Sequence, residues 1–332
     1  MAFPVKFVHL GLGKCASTYL QNLWKFDDQY AMSIPVPLAR ALCERAEMSI
    51  SDPVKIDFPP VDARQTAVVS SEDLDFGWIN GIEGDKATRN LRKLVSASLS
   101  ASHLTDQILV MVRNPVDWLR SLHEQAIREG GYLPYKAYIA AQKALALEIL
   151  DLAFLLECHR GAGRKVVVLS ADELRHSPAT FWDKYSASLG IPKPSAKVMD
   201  FVDNAEHGGN KSLKDRVPYL AKLNLHSARL GKCFTGLTEL AAVHPNEHKN
   251  LSAMANQNLI WINRRIAEFA SLSELKEVAG EVEDAAEFQN VFVDAEMANR
   301  IEKNFLACLE GEETIDPALV GQYRESLNAK LA

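Results

Sequence analysis

The sequence predicts an α/β protein in which a central, mostly parallel sheet is flanked by helices and followed by a helical C-terminal extension. The first half of the chain alternates short β-rich apolar runs with segments of helical periodicity, a pattern typical of parallel sheets. After about residue 200 the β signal fades, and residues 250–332 show a helical pattern with alternating charge. The 332 residues, 47% of them hydrophobic, are enough to bury a full core. We expect a core of residues 1–215, with residues 216–332 packed on it in a single compact domain.

The strands are predicted from runs of β-branched and apolar residues that end at turn residues. These runs are residues 5–10, 66–70, 107–112 and 165–169. Residues 33–60, rich in proline and mixed polar residues, are predicted as a long excursion before the second of these strands.

Helices are predicted where apolar residues recur at helical spacing. One stripe follows the first predicted strand and consists of Tyr19, Leu20, Leu23 and Trp24. Another follows the third predicted strand and consists of Val116, Leu119, His123 and Ile127. Residues 135–160 are predicted as one long helix that ends at Gly161 and Gly163.

Charge and cysteine content limit the partners and the compartment. The net charge of −6 argues against a general affinity for nucleic acid or anionic membrane, which needs a basic excess. The five cysteines are odd in number and show neither a C-x-x-C pair nor zinc spacing, as expected for reduced thiols. The first residues lack the parts of a secretory signal, and no apolar run approaches the roughly 18 residues of a membrane span. We therefore expect a cytoplasmic protein without a nucleic-acid partner.

The first motif joins the first predicted strand to the first predicted helix and reads GLGKCAST over residues 11–18. Its glycines let successive N–H groups point inward, and a helix N-terminus adds partial positive charge, so such a loop can cradle a phosphate. The order differs from a Walker A loop, in which Lys directly precedes the hydroxyl residue, because Lys14 precedes Ser17 by three positions. The alternative is a tight turn that serves packing alone.

The second motif ends the predicted strand 107–112 with Arg113, Asn114 and Pro115. Asn114 suits the N-cap and Pro115 the first position of the helix that follows. Arg113 is thereby predicted at the carboxyl end of a strand, where doubly wound sheets bind nucleotides, and its guanidinium offers a planar fork of donors to a phosphate. A capped helix with a surface arginine is the alternative.

Together the two motifs resemble those of the sulfotransferases that use 3′-phosphoadenosine 5′-phosphosulfate (PAPS). The order of Lys14, a small residue and two hydroxyl residues at a helix start is similar to their 5′-phosphosulfate loop, which usually has Gly where this chain has Ala16. Residues 113–121 resemble their 3′-phosphate motif, in which an Arg and a Ser at this spacing hold the phosphate. The likeness extends over about residues 5–215. It implies a three-layer P-loop-like fold with residues 1–215 as the PAPS-binding core.

The resemblance also implies roles for individual residues and implies no metal. Lys14 would meet the charge that grows on the bridging oxygen of the leaving group, adenosine 3′,5′-bisphosphate. Arg113 and Ser121 would hold the 3′-phosphate. A later Gly-rich basic segment offers Lys211 and Ser212 as further cofactor contacts, for which a solvated loop is the alternative. The 5′-phosphate loop would consist of Gly13, Lys14, Cys15, Ala16, Ser17 and Thr18.

The acceptor needs a general base, and Glu72 is the best candidate. It follows the predicted strand 66–70 and so faces the same edge of the sheet as Lys14 and Arg113, and several groups of sulfotransferases use a Glu as base. An exposed turn acid or a helix N-terminal charge is the alternative. Asp73 and Asp75 are poorer candidates.

Three histidines are weaker candidates for the base. His103 precedes the strand that ends before Arg113 and so lies at the wrong end of that strand. His9 lies inside a predicted strand, where we expect a core residue with satisfied hydrogen bonds. His123 lies on an apolar helix face, where a core role is expected.

The resemblance therefore implies a sulfotransferase of the bacterial, carbohydrate or tyrosylprotein type rather than the small-phenol type. Its acceptor would be a hydroxyl or amine of a carbohydrate, a peptide or a small molecule. A P-loop nucleotide or sugar kinase is one alternative. A catalytically silent nucleotide-binding protein on the same fold is another, because fold does not determine function. The identity of the acceptor and the oligomeric state are not readable from the sequence.

Overall fold

The computed structural model describes residues 4–58, 61–62, 64–75, 85–204, 213–241, 257–258, 261–282 and 284–331. The chain divides into two compact units. The first unit comprises residues 1–118, 143–210 and 293–332, and the second comprises residues 119–142 and 211–292. Residues 293–332 of the predicted C-terminal part thus belong to the first unit, whereas residues 119–142 of the predicted core belong to the second.

A five-stranded parallel sheet forms the centre of the first unit and confirms the predicted α/β class with a parallel sheet flanked by helices. Its strand order is β2-β3-β1-β4-β5. The strands are β1 (Phe7–Gly11), β2 (Tyr30–Ser33), β3 (Thr66–Ser70), β4 (Gln107–Val112) and β5 (Lys165–Ser170). All four predicted strands are present, with ends shifted by two residues or fewer. Their nearly continuous apolar runs match strands that are buried on both faces.

The helices flank the sheet in the first unit and make up most of the described residues of the second. In chain order they are α1 (Ser17–Phe26), α2 (Val36–Glu47), α3 (Asp85–Ala101), α4 (Pro115–Arg128), α5 (Tyr135–Ile149), α6 (Leu152–Arg160), α7 (Ala171–His176), α8 (Pro178–Leu189), α9 (Ala196–Asn204), α10 (Val217–Ala241), α11 (261–269), α12 (Leu272–Ala279), α13 (Ala285–Gln289), α14 (Ala295–Ile301), α15 (Ala307–Glu310) and α16 (Pro317–Asn328). Two 3₁₀ turns span Glu72–Leu74 and Lys214–Arg216, and a π-helical turn spans Glu302–Leu306. Within the described residues, no helix is both long and apolar enough to span a bilayer.

The register places β1 in the middle of the sheet, between β3 and β4. His9 lies beside Ser70 of β3, and Leu10 lies beside Val110 of β4. Because every pair is parallel, the carboxyl ends of these strands meet at one edge of the sheet. The loop after β1, the turn after β3 and the start of α4 therefore share that edge.

The strand β2 was missed by the sequence analysis. It has four residues, Tyr-Ala-Met-Ser, without β-branched side chains, and it lies at the edge of the sheet. Tertiary contacts hold it: the Tyr30 hydroxyl donates to the carbonyl of Pro192 at 2.5 Å. The predicted excursion 33–60 therefore starts at the end of β2 and contains α2.

Residues 135–160 form two helices, so the prediction of one long helix was wrong. The first, α5, ends at Ile149, and α6 begins at Leu152. Asp151 between them caps α6, because its side chain accepts a hydrogen bond from the backbone N–H of Phe154. The apolar pattern continues through the break between α5 and α6, so the sequence carries no signal for that break.

The break is held by Arg92 of α3, whose side chain is fully buried. Its guanidinium donates to the carbonyls of Glu148, Ile149 and Asp151 at 2.8–2.9 Å. These include carbonyls that the end of α5 leaves without an intrahelical partner. The same guanidinium pairs with Asp75, with 2.7 Å between Nε and Oδ1. One cation thus joins α3, the α5–α6 break and the residue that follows the Glu72–Leu74 turn.

The second unit has its own apolar core, in which α10, α11 and α12 contribute most of the residues. Asn224 of α10 ties it to the end of α4, because its amide donates to the carbonyls of Ile127 and Gly131 at 2.6 and 2.7 Å. His123 is buried and its Nε2 lies 2.8 Å from the carbonyl oxygen of Leu133, which confirms its predicted core role. The core consists of Ile127, Leu213, Val217, Leu220, Ala221, Ala267 and Leu275.

The first prediction concerns the buried guanidinium. Arg92→Met leaves Asp75 as an uncompensated buried carboxylate and removes the donors to the α5–α6 break, so we expect a loss of about 3–5 kcal/mol in unfolding free energy. Urea unfolding measures the loss. Arg64→Met is the matched control, because Arg64 forms an exposed ion pair with Asp62 at 2.7 Å and its loss should leave stability unchanged. Equal stability of the two variants would contradict the role given to Arg92.

A second prediction concerns His159 of α6, which is fully buried. Neither ring nitrogen has a hydrogen-bond partner within the described part of the chain. Burial, and then the nearby guanidinium groups of Arg164 and Arg92, lower the pKa of His159 from 6.5 to about 3. The unfolded chain therefore binds a proton at His159 at a pH where the folded chain does not, and stability falls as the pH drops through that interval.

We expect His159→Phe to reduce the slope of the unfolding free energy against pH by about 1.4 kcal/mol per pH unit between about pH 6 and pH 4. Urea unfolding of both proteins over that range measures the two slopes. Parallel slopes would mean that His159 is protonated in the folded state as readily as in the unfolded chain.

Candidate functional site

Three separate segments meet at the carboxyl edge of the sheet and bring the predicted site residues of the first unit together. The loop 11–16 follows β1, Glu72 follows β3 and Arg113 follows β4. Since β1 pairs with both β3 and β4, its loop lies between the other two segments. This is the arrangement that the predicted strands imply for Lys14, Glu72 and Arg113.

The loop after β1 contains two residues in left-handed backbone conformations. Lys14 has φ of 68° and Ala16 has φ of 64°. Such angles are uncommon for residues other than glycine. They turn the chain sharply into α1, and the backbone N–H of Cys15 donates to the carbonyl of Leu12 at 3.2 Å. The loop is therefore a compact turn whose backbone N–H groups lie at the start of α1.

The β4–α4 segment holds this loop in place. Trp118 is buried and its indole N–H donates to the carbonyl of Gly13 at 2.7 Å. The Arg113 guanidinium donates to the carbonyl of Lys14 at 3.4 Å. Burial, against the opposing effect of Arg113, raises the pKa of Cys15 well above its ordinary value. The Cys15 side chain is thus a buried, neutral packing group.

Glycine is required at position 11. A Cβ atom there would lie 2.5 Å from the Ser17 hydroxyl oxygen and 3.3 Å from His9 Nε2. Both of these side chains are buried. The close approach of His9 and Ser17 therefore depends on the missing side chain of Gly11.

The expectation that His9 is a core residue with satisfied hydrogen bonds is only half right. His9 is fully buried, and its Nδ1 lies 2.8 Å from the hydroxyl oxygen of Ser70. Its Nε2, however, has no hydrogen-bond partner among the described residues, and neither does the hydroxyl of Ser17. Burial lowers the pKa of His9 to about 3, so the ring is neutral. Two unsatisfied polar atoms thus lie near Gly11.

Glu72 begins the 3₁₀ turn that follows β3. Burial raises its pKa, while the Ser17 hydroxyl and the Lys14 ammonium act in the opposite direction. The hydroxyl approaches the carboxylate closely enough to favour its charged form, although it makes no hydrogen bond of regular geometry with any described residue. Glu72 is therefore not the exposed turn acid of the alternative interpretation.

The two neighbouring acids are placed differently. Asp75 is fully buried in the ion pair with Arg92 and serves the fold. Asp73 is largely buried, and its backbone carbonyl accepts a hydrogen bond from the Cys43 thiol at 3.6 Å. His103 lies in the turn before β4, at the opposite end of the sheet from Glu72, as expected. Of the three acids, Glu72 is thus the one whose charged form the Lys14 ammonium favours.

The start of α4 confirms the predicted N-cap. The Asn114 side-chain oxygen accepts a hydrogen bond from the N–H of Val116 at 3.0 Å, and α4 begins at Pro115. The backbone N–H of Asn114 itself donates to Asp172 at 2.7 Å. The backbone of Arg113 is therefore held between the end of β4 and the N-cap residue Asn114.

The contact that holds Asp172 was not predicted from the sequence. The Tyr323 hydroxyl of α16 donates to Asp172 at 2.6 Å and lies 2.9 Å from the Ser170 hydroxyl. Asp172 follows the end of β5, so an acid just past a strand was a usable signal. Tyr323 lies 151 residues further along the chain, and nothing local to it indicates this contact.

Not every predicted ligand can be assigned to this group from the described residues of the first unit. Ser121 lies two turns into α4, half-buried, in the second unit. Lys211 and Ser212 fall outside the residues that the structure describes. Thr18 is exposed at the start of α1, whereas Ser17 is buried.

The gathered groups are two cations, a half-buried carboxylate with a raised pKa and the N-terminus of a helix. Across the described ranges, no group of three or more His, Cys, Asp or Glu side chains is arranged to hold a metal ion. This edge of the sheet can therefore accommodate an anion at the start of α1, between Lys14 and Arg113. The carboxylate of Glu72 is the group there that could accept a proton.

No family model, curated protein or solved structure matches this chain.

A third prediction tests the close packing at Gly11. Gly11→Ala should displace the Ser17 hydroxyl and destabilise the chain by about 1–3 kcal/mol. Gly321→Ala in α16 is the matched control, since a Cβ there meets no described atom within 4 Å. It should stabilise the helix by about 0.5–1 kcal/mol. Urea unfolding of both variants measures the difference, and a Gly11→Ala protein as stable as the wild type would contradict the close approach.

Proposed function

We propose that this chain is a sulfotransferase that moves a sulfuryl group from PAPS to a hydroxyl or amine of an acceptor. The observation that most supports this proposal is the position of the loop 11–16, between the segments that carry Glu72 and Arg113. That loop enters α1 through two left-handed residues, Lys14 and Ala16. It combines an anion cradle, a cation and a base at one edge of a parallel sheet. The P-loop-like three-layer arrangement is part of this proposal.

The residues of the loop fit the 5′-phosphate end of such a donor. The residue before α1 is Ala16, which has no side-chain cap, and the first turn carries no acid within the described residues. The first N–H groups of α1 therefore have no intrahelical partner and face no competing carboxylate of that turn. The buried Ser17 hydroxyl and the exposed Thr18 hydroxyl stand at the same helix start. The left-handed φ of Ala16 also gives a physical reason why the family that this loop resembles usually has Gly there.

The remaining contacts are assigned by the same resemblance. Arg113 and Ser121 would hold the 3′-phosphate, and Lys211 and Ser212 would add contacts to it or to the adenine. Gly13, Cys15 and Ala16 would contribute backbone groups to the 5′-phosphate. When bound, PAPS supplies a sulfuryl group that bonds to the acceptor oxygen or nitrogen as its bond to the 5′-phosphate oxygen breaks.

Glu72 then acts as the general base. It takes the proton of the acceptor group as that group attacks, and its raised pKa suits a base that works near neutral pH. Lys14 holds a positive charge beside the oxygen that gains negative charge. The partial burial of the carboxylate strengthens both interactions, because less water screens them than at an exposed site. The chain contributes mainly orientation and charge, as expected for a transfer of this kind.

The binding half of the proposal is tested by calorimetric titration with adenosine 3′,5′-bisphosphate, with ATP and Mg²⁺ as the comparison. We expect the bisphosphate to bind without metal. Arg113→Ala should weaken it by about 10- to 100-fold, the usual worth of a charge-assisted hydrogen bond. Preference for ATP with Mg²⁺ would favour a kinase, and binding of neither would contradict the proposal.

The catalytic half is tested by release of adenosine 3′,5′-bisphosphate from PAPS with a panel of hydroxyl and amine acceptors. Lys14→Met and Glu72→Gln should each lower turnover by at least about 100-fold. Glu72→Gln should leave the affinity for the bisphosphate little changed, and Lys14→Met should lower turnover far more than that affinity. Glu44→Gln on the exposed side of α2 is the control and should retain full activity. A wild-type chain that binds the bisphosphate but never turns over would instead be a silent nucleotide-binding protein.

A further inference from the structure

A line of hydrogen bonds links the C-terminal helix α16 to the start of α4. The Tyr323 hydroxyl of α16 donates to Oδ2 of Asp172 at 2.6 Å, and the same carboxylate oxygen accepts from the backbone N–H of Asn114 at 2.7 Å. Tyr323 and Asp172 are both buried. All three residues belong to the first unit, so the line lies within one compact part of the chain.

The end of β5 fixes the position of Asp172 as well. The Ser170 hydroxyl oxygen caps α7 by accepting from the backbone N–H groups of Asp172 and Glu173 at 3.1 and 3.3 Å. The Ser170 and Tyr323 hydroxyl oxygens lie 2.9 Å apart. Since a phenol has one proton and Tyr323 donates it to Asp172, the Ser170 hydroxyl donates to Tyr323. Tyr323 is thus held from β5 while it holds the carboxylate.

Asn114 carries the line onward to the loop after β1. Its backbone carbonyl accepts from the backbone N–H of Trp118 at 2.8 Å, and the Trp118 indole N–H donates to the carbonyl of Gly13 at 2.7 Å. The N–H of Asn114 belongs to the peptide unit that joins it to Arg113, so Asp172 holds the backbone of both residues. The line from α16 therefore reaches the two segments to which the phosphate contacts are assigned.

Packing alone does not explain a carboxylate at position 172. Removal of an acid from water is costly, and an apolar pair of similar volume would hold α16 in place at least as well. The cap of α7 is supplied by Ser170 and does not need the Asp172 side chain. What the carboxylate adds is an acceptor in a fixed direction for the N–H of the 113–114 peptide.

We propose that Tyr323 is a positioning residue of the nucleotide site, which through Asp172 holds the 113–114 peptide so that Arg113 meets the 3′-phosphate of the nucleotide. The inference rests on the proposed function, in which Arg113 binds that phosphate. Tyr323 acts through Asp172 and Asn114 and does not contact the nucleotide. The C-terminal helix thereby affects how strongly the site prefers a nucleotide with a 3′-phosphate over one without it.

The test compares Tyr323→Phe with the wild type by calorimetric titration of two nucleotides, adenosine 3′,5′-bisphosphate and adenosine 5′-monophosphate. The ratio of the two dissociation constants isolates the contribution of the 3′-phosphate. Tyr323→Phe removes one donor from Asp172 without changing any charge, so the carboxylate loses a fixed orientation and the 113–114 peptide loses a fixed acceptor. We expect the affinity for the bisphosphate to fall by about 3- to 10-fold, the usual worth of one hydrogen bond, and the affinity for the monophosphate to change by less than about twofold.

Tyr30→Phe is the matched control. Tyr30 is also a buried tyrosine of the first unit, and its hydroxyl donates to the carbonyl of Pro192 at 2.5 Å. It begins β2 and so lies at the amino end of the parallel sheet, opposite the edge that carries Arg113. Tyr30→Phe should leave both dissociation constants unchanged. A merely structural role for Tyr323 would lower the stability of both variants and leave the ratio of the constants as it is in the wild type.

The backbone amide signals of Arg113 and Asn114 in ¹⁵N NMR give a second readout, which needs no nucleotide. They should shift in Tyr323→Phe and stay in place in Tyr30→Phe. Unmoved signals in Tyr323→Phe would overturn the inference, and so would an unchanged ratio of the constants when the wild type prefers the bisphosphate. Shifted signals in a chain whose wild type shows no preference for the bisphosphate would instead keep the hold on the 113–114 peptide and overturn the proposed function.

Discussion

The parallel pairing of β1 with both β3 and β4 is the constraint on which the site depends. Because parallel strands end at the same edge, the pairing brings the β1 loop between the turn that carries Glu72 and the strand end that carries Arg113. A shift of β1 by one residue would reverse which face its side chains occupy. His9 would then leave Ser70, and the opening at Gly11 would no longer face Ser17.

The supports of this edge come from distant parts of the chain. Arg92 holds the residue after the Glu72 turn through Asp75 and reaches the α5–α6 break with the same guanidinium. Asp172 holds the backbone next to Arg113 and is itself bound by Tyr323 of the C-terminal helix α16. The residues that would do chemistry are thus supported by buried, charge-assisted contacts. Such contacts lose far more stability when one partner is removed than exposed pairs do.

Local signals in the sequence predicted the parts of the fold that local physics determines. Continuous apolar runs identified β1, β3, β4 and β5, and Asn114 with Pro115 marked the start of α4. Local patterns did not reveal β2 or the α5–α6 break, because tertiary contacts such as those of Arg92 hold them. For the site, the strand ends placed Lys14, Glu72 and Arg113 on one edge. The sequence pattern marks His9 only as a buried residue. That its Nε2 has no hydrogen-bond partner among the described residues depends on the atoms around the ring, and only the structure shows them.

The central claim is that the carboxyl edge of the sheet holds the phosphates of a nucleotide through backbone amides. Hydrogen exchange of the full chain, with and without adenosine 3′,5′-bisphosphate, tests it most directly, because it reports on individual stretches of backbone. We expect slower exchange over residues 13–18 and at residues 113–114 when the nucleotide is added. Unchanged exchange over residues 13–18 at saturating nucleotide, or slowing confined to the second unit, would contradict it.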